Sequence, residues 1–99
     1  MTKIVLVCNA GISNSLLVAH MIEEAKNKEG DFEIIACPAN EVKEKATNAD
    51  VVLLAPQVAF ERETVSQQVN CPVEVINSGA YANLDGLAVI EYAMKLSKK

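Results

Sequence analysis

A short stretch near the N-terminus decides the fold, because it joins an apolar run to a cysteine: Lys3-Ile4-Val5-Leu6-Val7-Cys8. Its β-branched, apolar character is typical of a strand buried inside a sheet. A small, mostly polar segment follows the cysteine: Asn9-Ala10-Gly11-Ile12-Ser13-Asn14-Ser15. Beyond it, apolar residues recur at helical spacing, at Leu17, Met21 and Ala25. Backbone N–H groups in a strand-to-helix loop, together with the helix dipole, stabilise both a thiolate and a bound phosphate. The stretch therefore predicts a reactive Cys8 at the end of a buried strand.

The same alternation of strand and helix continues along the chain. Apolar β-type runs predict strands at 4–8, 32–37, 51–55 and 73–76, and helical patterns predict helices at 13–28, 40–48, 57–70 and 83–98. This order indicates an α/β fold with a parallel sheet and helices on both faces. Glu33 favours an edge position for the second strand, whereas the third and fourth strands are predicted to be buried on both faces. Because ligands of such sheets bind beyond the carboxyl ends of the strands, we expect Cys8, residues 55–57 and residues 77–79 to converge on one site.

Length and composition predict one globular domain over residues 1–99. The net charge of −4 argues against a nucleic-acid partner, and the lack of a long apolar run or a leader pattern predicts a soluble, cytoplasmic protein with no direct membrane insertion. Three cysteines without a CxxC pair argue against a disulfide framework and against a zinc site. We expect neither a metal nor a cofactor.

The cysteine loop invites comparison with cysteine phosphatases, whose loops read C-x5-R. Here Asn14 stands where the arginine would clamp a transferring phosphoryl group, and the only arginine, Arg62, belongs to the predicted surface of the third helix. A loop without that cation favours a relay, in which the thiolate takes up a phosphoryl group and passes it on. A small cysteine-dependent phosphatase and a non-catalytic, redox-sensing regulatory module remain the alternatives.

Four segments, in order and over nearly the whole chain, resemble the enzyme IIB component of the bacterial phosphoenolpyruvate:sugar phosphotransferase system, in its lactose/cellobiose/chitobiose group. They are the loop with the two residues that follow it (8–17), the run Ala49-Asp50-Val51-Val52-Leu53-Leu54-Ala55-Pro56-Gln57, the run Pro72-Val73-Glu74-Val75-Ile76, and Asp85-Gly86-Leu87. The resemblance implies a three-layer fold with strand order 2-1-3-4, similar to the low-molecular-weight tyrosine phosphatases. It also implies a phosphotransferase whose loop cysteine takes a phosphoryl group from a histidine of the IIA component. That group then passes to a sugar held by the membrane-embedded IIC component, here a β-linked disaccharide such as cellobiose, lactose or chitobiose.

Carried over to this chain, the resemblance makes Cys8 the phosphorylated nucleophile and assigns the phosphate-binding loop to Asn9, Ala10, Gly11, Ile12, Ser13, Asn14 and Ser15. The family often has Ser or Thr at the positions of Asn9 and Asn14, and Gly at that of Ala55. Gln57, at the start of the third helix, and Tyr81, in a following loop, are predicted at the rim of the site. Cys37 and Cys71 are interpreted as packing or loop residues. A relay gains from being monomeric and mobile, so we expect a monomer.

Overall fold

The computed structural model describes residues 2–8, 12–28 and 30–97. It contains four strands: β1 (Thr2–Cys8), β2 (Phe32–Pro38), β3 (Val51–Leu54) and β4 (Val73–Val75). All neighbouring strands are parallel, and their order is β2-β1-β3-β4. The α/β fold and the strand order expected from the sequence are therefore confirmed.

The five α-helices are α1 (Ile12–Ala25), α2 (Val42–Lys45), α3 (Arg62–Ser66), α4 (Ser78–Ala82) and α5 (Gly86–Ser97). Helices α1 and α5 pack against each other, with α1 also against β2 and α5 against β3. Helix α2 contacts β1 and β2, and α3 contacts β4. With right-handed crossovers, this places α1 and α5 on one face of the sheet and α2 and α3 on the other.

Three predicted helices differ from the structure for local reasons. The second is only a 3₁₀ turn, Ala39–Glu41, followed by α2, and the chain turns at Asn48 with a φ of 64°. The third begins as a 3₁₀ segment, Pro56–Glu61, in which Val58 has non-helical dihedral angles. The fourth, predicted from residue 83, begins only at Gly86, because Leu84 has a φ of 52° and cannot continue a helical path. The short helix α4 lies before it, in a segment predicted as a loop. Each interruption depends on one backbone conformation that apolar periodicity does not reveal.

The core lies around the two central strands. Residues 4–7 of β1 and all four residues of β3 are fully buried, as predicted for strands covered on both faces. The edge position of β2 is also confirmed. The expectation that β4 is buried on both faces is wrong: β4 forms the other edge, and its Glu74 is only partly buried and pairs with Arg62.

Within the described ranges, no helix is long and apolar enough to cross a membrane.

Candidate active site

Cys8 is the last residue of β1, at the point where the connections of the sheet change direction. The chain leaves β1 towards β2 on one side, whereas β3 and β4 lie on the other side. A crevice forms at such a switch point beyond the carboxyl ends of the strands, and it is where α/β sheets of this kind bind their ligands. Val7 pairs with Leu54, and the N–H of Ala55 donates to the Val7 carbonyl at 2.9 Å, so Cys8 lies level with the end of β3. Residue Cys8 itself is only 2% exposed.

Helix α1 begins at Ile12, four residues after Cys8. Four residues span at most about 14 Å, so the N-terminus of α1 stays close to the end of β1. The first-turn N–H groups of a helix have no acceptor within that helix, and they carry the positive end of its dipole. Of the predicted phosphate-binding loop, Asn9, Ala10 and Gly11 lie outside the described residues. The backbone of the other four forms the first turn of α1: Ile12, Ser13, Asn14 and Ser15.

An open apolar groove of about 590 Å³ adjoins this end of the sheet. We call it the carboxyl-end groove; its described lining residues are Leu16, Pro56, Gln57, Ser78, Tyr81, Ala82 and Leu84. The structure thus brings together the two predicted rim residues, exposed Gln57 in the 3₁₀ segment and largely buried Tyr81. Tyr81 lies in α4 and not in a loop as predicted, because Asn77 caps this short helix by accepting from the N–H groups of Gly79 (2.9 Å) and Ala80 (3.1 Å). No lining residue among those described is charged.

Arg62 is held away from this groove. Its Nη2 lies 3.0 Å from Glu74 Oε2, and its Nε donates to Glu74 Oε1 at 3.3 Å, a two-point contact between α3 and β4. The carboxylate raises the pKa of Arg62 further. The side chain lies on the surface, as predicted, but it is paired, which the sequence did not indicate. The only guanidinium of the chain is therefore engaged elsewhere and does not provide the clamp that a C-x5-R phosphatase needs.

Cys37 lies beside the end of β1, one strand away from Cys8. It is level with Val7 in the β1–β2 register and is 3% exposed. Burial, followed by the negative charges of Glu41 and Cys8, raises the pKa of the Cys37 thiol to about 11. A thiol with such a pKa is protonated and inert at neutral pH, which agrees with a packing role.

These observations define a class of protein: a parallel α/β domain with a cysteine at its switch point. A model of the family "PTS system, Lactose/Cellobiose specific IIB subunit" matches residues 3–92. The chain is 40% identical to the PTS system oligo-beta-mannoside-specific EIIB component of Bacillus subtilis (strain 168), with 97% of this chain and 96% of that protein covered. It is 34% identical to the cellobiose-specific EIIB component of Lactococcus lactis subsp. lactis (strain IL1403), with 94% of each chain covered.

A solution structure of the cellobiose-specific phosphotransferase IIB component from Borrelia burgdorferi has the same fold. It superimposes with a TM-score of 0.79 at 34% identity, covering 96% of this chain and 90% of that one. The chain belongs to the lactose/cellobiose-specific IIB family of the phosphotransferase system, as its sequence motifs predict. It is thus a phosphotransferase subunit of a sugar transport system, and IIB components work with a IIA component and a membrane IIC component.

The sequence indicates which strand ends form the site, but it does not indicate two residues that line the groove, Leu16 and Leu84. The sequence places Leu16 in the first helix without indicating a role for it, yet its side chain is 59% exposed and lines the groove. Leu84 was not singled out, because its position depends on the left-handed turn between α4 and α5. A large apolar residue off the buried stripe of α1 was the one signal for Leu16; no signal marked Leu84.

Proposed function

We propose that Cys8 is the residue that carries the phosphoryl group in this IIB component. The position of Cys8 supports this: it ends β1 at the switch point, four residues before the N-terminus of α1, whose first-turn N–H groups point towards that end. In the first step the N–P bond of a phosphohistidine on IIA breaks as the Cys8 sulfur bonds to phosphorus. In the second step the S–P bond breaks as a sugar hydroxyl oxygen bonds to phosphorus. The hydroxyl proton leaves to a base or to water, and the thiolate returns.

The phosphate is bound by the loop and the first turn of α1. We assign this role to Asn9, Ala10, Gly11, Ile12, Ser13, Asn14 and Ser15, through their backbone N–H groups above all. The arrangement stabilises the charge of a phosphocysteine without a guanidinium, since Arg62 is paired with Glu74. The burial of Cys8 keeps most water away from the sulfur. Both features favour a phosphocysteine that persists until an acceptor is docked, and both disfavour hydrolysis.

The acceptor in this proposal is a β-linked oligosaccharide. The relatives named above are described as specific for oligo-beta-mannoside and for cellobiose. A β-linked disaccharide such as cellobiose, lactose or chitobiose, bound by IIC, is therefore the first substrate to test. A single domain over residues 1–99, a monomeric state and a cytoplasmic location stay predictions from the sequence.

The direct experiment is an intact mass after incubation with phosphoenolpyruvate and the upstream phosphoryl carriers, IIA included. Wild type is expected to gain the mass of one phosphate, and Cys8→Ser to gain none. An unmodified wild type, or an equally modified Cys8→Ser, contradicts the assignment of Cys8.

For the donor complex, we propose that the carboxyl-end groove receives apolar side chains of IIA. The groove is uncharged among its described residues and lies beside the end of β1, so a partner seated there brings its phosphohistidine towards Cys8. Leu16 offers the contact, since 59% of it is exposed, and Gln57 offers a polar group at the rim.

Leu16→Ala tests the docking groove, and Ile22→Ala is its matched control. Ile22 is on the same helix and is 43% exposed, but it lines a different depression, beside Gly30 and Phe32. We expect Leu16→Ala to raise KM for phosphorylated IIA about tenfold, as for loss of one apolar interface contact of 1–2 kcal/mol. Ile22→Ala should leave KM unchanged. Equal KM values for the two variants rule out the groove as the IIA contact.

A further inference from the structure

Helix α5 begins in close backbone contact with the middle of α1. A Cβ atom built on Gly86 would lie 2.6 Å from the carbonyl carbon of His20, 2.7 Å from the nitrogen of Met21 and 2.8 Å from the His20 oxygen. These are main-chain atoms, so no change of side-chain rotamer relieves the overlap. Only a glycine permits the two helices to approach this closely at this point.

The turn before Gly86 holds it at that contact. The N–H of Asp85 donates to the Ala80 carbonyl at 2.9 Å, which ties the turn to α4. The Asp85 carboxylate then caps α5 by accepting from the N–H of Ala88 at 3.1 Å. Leu84, with its φ of 52°, turns the chain within the segment closed by the first of these bonds. The start of α5 is thereby fixed relative to α4.

The turn meets α1 and shares the carboxyl-end groove with it. Leu84 and Leu16 both line the groove, and Gly86 meets the backbone at His20 and Met21. Helix α1 starts only four residues before Leu16, at Ile12. Because a helix moves as a rigid rod over so short a distance, a displacement at His20 is transmitted to its first turn.

We propose that the Asp85-Gly86 turn is a positioning element for phosphoryl transfer: it sets where the N-terminus of α1 stands relative to Cys8. Neither residue touches the reacting atoms. The inference rests on the proposed function, in which the first turn of α1 binds the phosphate. Asp85 acts as a helix cap and not as an acid catalyst.

The variant Gly86→Ala tests whether this turn positions the N-terminus of α1. An ordinary contact needs 3.4 Å where 2.6 Å is available, so the helices must separate by about 0.8 Å, the difference of the two values. A misplacement of that size costs up to about 100-fold in rate. We expect kcat for sugar phosphorylation to fall about 10- to 100-fold.

Gly30→Ala is the matched control. Gly30 has a φ of 97°, so alanine is strained there, yet nothing lies within 4 Å of the added Cβ. This variant is expected to lower Tm while keeping kcat. If Gly30→Ala lowers kcat as much as Gly86→Ala does, or if Gly86→Ala keeps the wild-type kcat, the inference is overturned. Transfer by wild type, measured in the same assay, tests the proposed function separately.

A second pair of variants tests the positioning role of the turn even if Gly86→Ala does not fold. Asp85→Ala removes the cap, and Asp85→Asn keeps an oxygen acceptor for the N–H of Ala88 while removing the carboxylate. We expect kcat to fall about threefold or more in Asp85→Ala and to stay at the wild-type value in Asp85→Asn. Equal losses in both variants indicate a role for the carboxylate itself and overturn the inference, as does wild-type kcat in both.

Discussion

The two ends of the parallel sheet differ in how their polar groups are used. At the amino end, the backbone N–H of Lys3 donates to Asp50 Oδ2 at 2.8 Å, and the N–H of Asp50 donates to the Lys3 carbonyl at 2.9 Å. Lys3 Nζ also donates to the Thr47 carbonyl at 2.9 Å. At the carboxyl end, beyond Cys8, the chain leaves an open and uncharged groove instead.

This difference indicates that the two ends of the sheet have different roles, one in stability and the other in function. Charged side chains at the amino end bond to backbone groups of neighbouring segments, so they contribute to holding β1 and β3 in register. Neutral groups line the groove at the carboxyl end, where the proposed function places the partner and the phosphate. Changes at the amino end should therefore affect folding, and changes at the carboxyl end should affect transfer.

The largest effect is expected at the carboxyl end, from Cys8→Ser. Loss of a nucleophile typically removes nearly all catalysis, so sugar phosphorylation should fall at least about 1000-fold. The exchange is close to isosteric, and the free energy of unfolding should change by no more than about 1 kcal/mol. A coupled uptake assay and urea unfolding measure the two quantities. Residual transfer within tenfold of wild type contradicts the account.

At the amino end, Asp50→Ala should show the reverse. It leaves the partly buried N–H of Lys3 without its acceptor, which costs about 1–3 kcal/mol in the free energy of unfolding. Phosphoryl transfer should stay within twofold of wild type at a temperature where both proteins are folded. The comparison between the two ends breaks down if Asp50→Ala slows transfer as strongly as it lowers stability.

A smaller effect concerns the pH dependence of folding. The pKa of Cys37 rises from 9.0 to about 11 on folding, so the folded state keeps a proton that the unfolded state has lost over this range. The contribution of Cys37 to stability is complete below pH 9 and is lost as the pH rises to 11. Compared with wild type, Cys37→Ala should lose less of its Tm between pH 8 and pH 10.5. Parallel Tm curves for the two proteins disprove this role of the thiol.

The smallest effect is expected from Arg62→Ala. Because Arg62 is exposed and pairs with Glu74 at the β4 edge, its removal should leave transfer at the wild-type rate. This variant also tests the phosphatase alternative, since no other arginine exists in the chain. A large loss of transfer, or of any activity on an aryl phosphate, assigns the guanidinium to the site after all.

Much of the fold could be predicted because it depends on patterns that a sequence displays. The apolar runs of β1 and β3 mark buried parallel strands, and Glu33 marks the edge strand β2. The limits of the helices could not be predicted, since Asn48 and Leu84 turn the chain through left-handed conformations that depend on tertiary packing. In β4, Glu74 gives the same indication as Glu33, but the apolar residues on either side of it are also typical of a buried strand.

For the candidate site, the sequence likewise indicates some parts and not others. Cys8 and the start of α1 follow from one continuous stretch of sequence. Leu84 and Gly86 come from the far end of the chain, and only tertiary packing brings Leu84 to the groove and Gly86 against α1. The pairing of Arg62 with Glu74 likewise depends on the position of β4 at the edge of the sheet.

A single-turnover experiment tests the central claim, that Cys8 passes its phosphoryl group to a sugar. The phosphorylated protein is isolated and mixed with membranes that contain the cognate IIC component and a β-linked disaccharide. The account predicts one sugar phosphate for each phosphocysteine lost. Release of the phosphoryl group as inorganic phosphate, at the same rate with and without sugar, would contradict this claim.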